Sequence, residues 1–275
     1  MIKTSNTKKC AYCGSQGPFT HEHLFTDGLA KRTPPPEYNV QYLEKAQKFI
    51  EGDLTIRDVC AKCNNESLSL LDAYICELYD EYFNHFVRTG ESIRFRYRFD
   101  ELARWLLKII YNSARVHNSD PGVLSKCTQY ILWGHKKPMG LTLLLQLVIP
   151  HKIDPANASL LPESVQEAGE IVPYMMRIAK PYNPQLVPYT KVIAISRIVA
   201  LNSYYFWVFI PEQEQYSRPA WRSTLKKLQH DLIPDSHRLI SARNEMFVPA
   251  SNTDFVDVFG PSILANWDFY QPHLQ

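Results

Sequence analysis

Apolar positions along this chain change period several times, and each change marks an element. Residues 53–59 (Asp-Leu-Thr-Ile-Arg-Asp-Val) alternate apolar and polar, which predicts a strand. From Asn64 onward Leu68, Leu71, Ile75, Leu78, Tyr82 and Phe86 recur at three- and four-residue steps, an amphipathic helix ended near Gly90. Ser92 to Phe99 returns to period two, with Ile93, Phe95, Tyr97 and Phe99 on one face and Arg94, Arg96 and Arg98 on the other. Asp100 then caps a helix running to about Val116, which buries Leu102, Trp105, Leu106, Ile109 and Ile110. A further helix is expected near 121–133. Strands follow at Leu141–Ile149, Ile171–Ile178, Lys191–Leu201 and Tyr204–Ile210, the last two joined by a tight Asn202-Ser203 turn. Helices return near 218–232 and at the C-terminus. The prolines at 34–36 make 32–39 a surface loop. There is no internal repeat. The pattern predicts a mixed, largely antiparallel α+β protein.

Composition narrows the class. A hydrophobic content of 45% and a charged content of 21% are those of a globular chain. No apolar run is long enough to predict a transmembrane helix, and the N-terminus carries no visible signal peptide. Four of the six cysteines fall in metal-type spacing, which suits a reducing cytoplasm better than a disulfide framework. The formal net charge of +2 is too small to announce a nucleic-acid binder, but it is unevenly placed. Residues 1–90 hold 10 Lys+Arg against 12 Asp+Glu, and residues 91–275 hold 20 against 16. A polyanion would therefore be gripped mainly by the second segment. The domains expected are a metal-organised module at 1–90 and an α+β accessory domain at 91–275.

The chemistry is concentrated in the first segment. Cys10-Ala-Tyr-Cys13 and Cys60-Ala-Lys-Cys63 are two Cys-x-x-Cys knuckles, the ligand set of a four-thiolate structural zinc site. Between them lies His21-Glu22-His23, and Asn64 directly follows the second pair. Cys76 and Cys127 read as buried thiols. In order and type these parts resemble the HNH endonucleases, the ββα-metal superfamily, in its zinc-bound Cys-x-x-Cys, Glu-His, Cys-x-x-Cys-Asn group. The resemblance covers about residues 8–75. It implies an N-terminal ββα-metal zinc module, with His23 as general base and with Glu22 and Asn64 on one catalytic Mg²⁺ or Mn²⁺. His21 and Asn65 stand beside this set as candidates to support it. The family's orienting asparagine, expected shortly before the second knuckle, is missing; Asp53 and Thr55 occupy that stretch, and a backbone carbonyl is left to orient the histidine.

The residue types suit phosphodiester hydrolysis. An imidazole can take a proton from water near neutral pH, and a hard cation prefers carboxylate and amide oxygens. DNA is the expected partner. An RNA-directed nuclease and a non-catalytic zinc module binding nucleic acid or protein are the alternatives. A role in bacterial defence against foreign DNA is an expectation from how such modules are deployed. In the second segment Arg94, Arg96 and Arg98, spaced roughly 6.6 Å apart along a strand, could track phosphates or form an ordinary solvated face. The Tyr204-Tyr-Phe-Trp207 run reads as sheet core rather than a base-stacking platform, and residues 91–275 could also meet a protein partner or regulator.

Overall fold

In the computed structural model of the protein, residues 8–32, 40–43, 48–51, 54–117, 119, 121–156, 159, 169–172, 176–179, 181, 189 and 191–265 are described. The loop expected at 32–39 lies outside them except for Arg32. The architecture is mixed helix and antiparallel strand, as the periodicities predict. No helix among the described residues is long and apolar enough to cross a membrane.

The chain folds into two compact units. The first comprises Met1–Glu81 and Arg98–Pro138, the second Tyr82–Tyr97 and Met139–Gln275. The boundary expected at residue 90 falls inside the second unit, and the helix after it belongs to the first.

In the first unit β1 (Phe19–His23) pairs antiparallel with β4 (Thr55–Cys60), and the hairpin of β2 (Val40–Leu43) and β3 (Lys48–Glu51) lies between them in sequence. The short helix α1 (Asp27–Ala30) follows β1. After β4 the chain turns into a helix that starts as a wide π-helical turn, Cys63–Leu68, continues as α2 (Ser69–Leu78) and widens again at Tyr79–Phe83. It ends well before Gly90. Two strands and a helix thus frame the cysteines. Next in this unit comes α3 (Phe99–His117), followed by α4 (Pro121–Ser125) and α5 (Thr128–Trp133), which replace the single helix expected at 121–133. Asp100 does not cap α3. It lies in the first turn, where its carboxylate accepts from Tyr130 and from Lys137 at 3.1 Å. Of the 19 residues of α3, 13 are buried, among them Lys108 and Asn112. A helix buried on nearly every side must find partners for such groups.

In the second unit a five-stranded antiparallel sheet has the order β12-β6-β11-β10-β9. It is built from β6 (Thr142–Leu147), β9 (Met176–Ala179), β10 (Ile193–Leu201), β11 (Tyr204–Pro211) and β12 (His237–Arg238). Two small pairs accompany it, β5 (Ser92–Arg96) with β13 (Glu245–Pro249) and β7 (His151–Lys152) with β8 (Glu170–Ile171). Every residue of β11 is buried because both faces of the sheet are covered. On one face Tyr205, Trp207 and Phe209 pack with Trp221, Leu225 and Leu228 of the helix Arg218–Asp231 and with Phe259 of the helix Phe255–Ala265. On the other, Tyr204 and Phe206 meet Phe83 and Phe95 with ring centroids 4.7–6.2 Å apart. The aromatic run at 204–207 is therefore core. At the β10–β11 turn Asn202 takes positive φ, +50°. The turn is fixed by Asn202 donating to the Phe83 carbonyl and by Ser203 accepting from the Val87 amide at 2.9 Å.

Candidate metal centre and adjoining cavity

The first Cys-x-x-Cys turn is shaped by its own backbone. Gly14, at φ +75°, lets the first knuckle close, with the Gly14 amide on the Cys10 carbonyl at 2.9 Å and the Cys10 amide on the Ser15 carbonyl at 2.8 Å. The knuckle is tied to β4 by the Ala11 amide on the Asp58 carbonyl at 2.9 Å, and the Cys60 amide points at Cys10 Sγ, 3.3 Å away. The sulfurs of Cys10, Cys13, Cys60 and Cys63 all lie within 4.8 Å of one another, with Cys13 and Cys60 at 3.7 Å. A tetrahedral site with Zn–S bonds of about 2.3 Å separates its sulfurs by about 3.8 Å. Four cysteines at this spacing could hold a metal ion, and their geometry and soft donor set fit zinc. Burial pushes the Cys10 and Cys63 thiols up. At Cys13 burial acts the same way but is outweighed by hydrogen bonds from Ser15 and neighbouring thiols, which bring it to about 6. Cys76 and Cys127 are buried thiols apart from this group.

Beside the cysteines is an open cavity of about 510 Å³ lined by His21, Glu22, His23 and Asn64, together with Asp72, Cys76, Asp27, Arg32 and others. It brings together all three residues expected to carry chemistry. Asn64 stands in the π-helical first turn, and π-helical turns recur at functional sites. Its Nδ2 donates to Thr20 Oγ1 at 3.0 Å and to the His21 carbonyl at 3.2 Å, which stitches the helix to β1. Asn64 Oδ1 has no protein partner among the described residues. His21 is exposed, with Nδ1 3.5 Å from Thr55 Oγ1. Asn65 is exposed, its carbonyl accepts from Ser69 Oγ at 2.6 Å, and it does not line the cavity.

Glu22 is held more firmly than its sequence context suggested. It is 3% exposed. Its Oε1 accepts from Lys108 Nζ at 2.8 Å and from Asn112 Nδ2 at 3.2 Å. Lys108, 1% exposed, also meets both oxygens of Asp72 at 2.6 Å, and Asp72 accepts from Thr26 at 2.6 Å. Burial alone would lower the Lys108 ammonium, but the charges of Asp72 and Glu22 outweigh it and hold its pKa above the usual value. Asn112 is wholly buried, and its amide orientation is fixed from both ends. Its Oδ1 accepts from Tyr12 at 2.7 Å and from Arg115, while Nδ2 donates to Glu22 and to the His23 carbonyl at 3.2 Å. Arg115 is in turn paired with Asp58 of β4 and lies over the rings of Tyr12 and Tyr111, 5.2 and 4.8 Å from their centroids. Glu22 and Asn64 thus bring a carboxylate and an amide, both oxygen donors of the type a hard cation prefers, to the lining of one cavity.

No carbonyl orients the His23 ring: its Nδ1 is buried and makes no hydrogen bond among the described residues. Asn112 instead fixes the His23 main chain. Lys108 and Asn112 were missed in the sequence because they stand inside the run Leu106–Asn112, where the apolar neighbours dominate the pattern. A lysine and an asparagine one turn apart inside an apolar run were the available signal.

The arginines expected on one strand face are not equivalent. Arg94 makes a two-pronged contact with Glu245 at 2.8 and 3.0 Å, and Arg96 approaches the same carboxylate at 3.7 Å. The strand stops at Arg96, so Arg98 is not part of it. Tyr74 accepts the Arg98 amide at 2.7 Å, and the Arg98 side chain lies over the Tyr74 ring, near Glu77 and Glu101. All three guanidinium groups have carboxylate neighbours within the protein.

Comparison with protein-family models, curated proteins and solved structures gives no match to this chain.

Proposed function

We propose that the protein is a zinc-scaffolded, metal-dependent nuclease of the HNH type that hydrolyses DNA phosphodiester bonds. The observation that carries this reading is the single cavity lined by Glu22, His23 and Asn64, on two antiparallel strands and a helix, beside four clustered cysteines. In this reading His23 takes a proton from water as the water oxygen bonds to phosphorus. The bond from phosphorus to the leaving sugar oxygen breaks, and that oxygen collects a proton from solvent. A Mg²⁺ or Mn²⁺ held by Glu22 and Asn64 would supply positive charge to the phosphate oxygens. Lys108 and Asn112 hold the Glu22 carboxylate in place, and Asn112 holds the His23 backbone. His21, exposed and lining the same cavity, would meet substrate phosphate in this reading.

A second reading has its own support. Glu22 is nearly inaccessible and its charge is opposed by Lys108, which favours a zinc module that binds without cutting. Supercoiled plasmid incubated with the protein and Mg²⁺ or Mn²⁺ separates the two. Nicking that is abolished by chelator and by His23→Ala is expected; a wild-type protein that retains its zinc but never nicks would favour the binding module. RNA and single-stranded DNA in the same assay decide the substrate.

A further inference from the structure

We propose that the phosphate backbone of duplex DNA docks on the outer face of the helix Arg218–Asp231, at Arg218, Arg222 and Lys226. This rests on the reading of the protein as one that acts on DNA. The three residues recur every four positions, so they lie within about 80° of arc, and successive Cα atoms are about 6 Å apart along the axis. A row of cations of this kind can meet several phosphates of one backbone at once. All three are exposed, while Trp221, Leu225 and Leu228, on the adjoining side of the helix about a quarter turn away, are buried in the sheet core.

Two observations distinguish this face from an ordinary solvated one. First, Arg94, Arg96 and Arg98 each have a carboxylate within 4 Å, whereas among the described residues none stands within that distance of Arg218, Arg222 or Lys226. Lys227, on a different side of the helix, acts on Asp231 and is not counted with them. Second, the placement works against helix stability. Arg218 is the first residue of the helix, where the helix dipole disfavours cations, and the first turn has no acidic residue. A bound anion would remove that conflict, and a polyanion could meet all three charges at once. Arg218, Arg222 and Lys226 would set affinity and orientation without reading base sequence.

The test is binding of a fluorescein-labelled duplex to the full-length protein, followed by anisotropy across a salt series without divalent ions. Each phosphate contact adds about 0.9 to the slope of log affinity against log salt. The variant Arg218→Gln, Arg222→Gln, Lys226→Gln should lose about 2.7 of that slope, while Arg94→Gln with Arg96→Gln should leave it unchanged. Arg218→Glu with Arg222→Glu should abolish binding while the fold is kept, since acidic residues suit that end of the helix. An unchanged slope in the triple variant overturns the proposal, as does wild-type protein that binds anionic vesicles but no duplex. Nicking that proceeds in wild type and in the triple variant alike would sink this surface and leave the nuclease reading standing. A slope lost in the triple variant, in a protein that never nicks, would do the reverse.

Discussion

Replacing Lys108 with methionine tests the buried network most sharply. Lys108 Nζ meets three carboxylate oxygens at 2.6, 2.6 and 2.8 Å, and its side chain is 1% exposed against 4% for Glu22 and 22% for Asp72. Methionine fills nearly the same volume, so little cavity is created. What remains is a buried carboxylate stripped of its cation, a loss of about 3–5 kcal/mol. Most of it should come from Glu22, because Asp72 is partly screened by water. The pH dependence follows from the charges. In the wild type the raised Lys108 pKa contributes stability that is whole below about pH 10.4 and is lost as pH rises through the folded-state value. The variant lacks that alkaline loss. Its own penalty is largest where both carboxylates are ionised and shrinks towards acid pH as they take up protons. Urea denaturation at pH 4.5, 8 and 10.5 measures all three regimes. A loss under about 1 kcal/mol at pH 8, or one equal at pH 4.5 and pH 8, would refute the argument. Adding Glu22→Gln to Lys108→Met should recover part of the loss.

Three further outcomes are expected. Purified protein should carry about one tightly held zinc per chain by elemental analysis, and Cys60→Ser should lose it together with the cooperative unfolding of the first unit. Asn112→Asp should lower any nicking rate by at least tenfold while the zinc content stays the same, because the two donated bonds to Glu22 and His23 are replaced by repulsion. Gly140→Ala should cost about 1–3 kcal/mol in thermal or urea denaturation: Gly140 sits at φ +71°, and a Cβ there would lie 2.6 Å from Pro211 Cγ and from Tyr216 Cε2.

Legibility in the sequence followed the range of the interactions. Elements governed by local period were readable: the helix from Asn64, the helix near 100–116, and the strands at 193–201 and 204–211. The two knuckles were readable because zinc demands paired cysteines at short spacing. The length of β5 was not, since Tyr74 and Tyr82, distant in sequence, take up the amides of Arg98 and Arg96. The support of the cavity was invisible for the same reason. Lys108 and Asn112 are 86 and 90 residues from Glu22, and only the folded chain brings α3 against β1. The basic face at Arg218, Arg222 and Lys226 could have been found by its four-residue spacing, but nothing local marks it as lacking carboxylate partners.

The most direct test of the central claim measures binding and cutting on the same preparations of wild type and His23→Ala, with supercoiled plasmid and Mg²⁺ or Mn²⁺. Wild type should nick, and His23→Ala should keep its zinc and its DNA affinity but nick at least a hundredfold more slowly. Equal nicking by the two proteins would contradict the assignment of His23, and a wild type that binds but never cuts would contradict the nuclease reading.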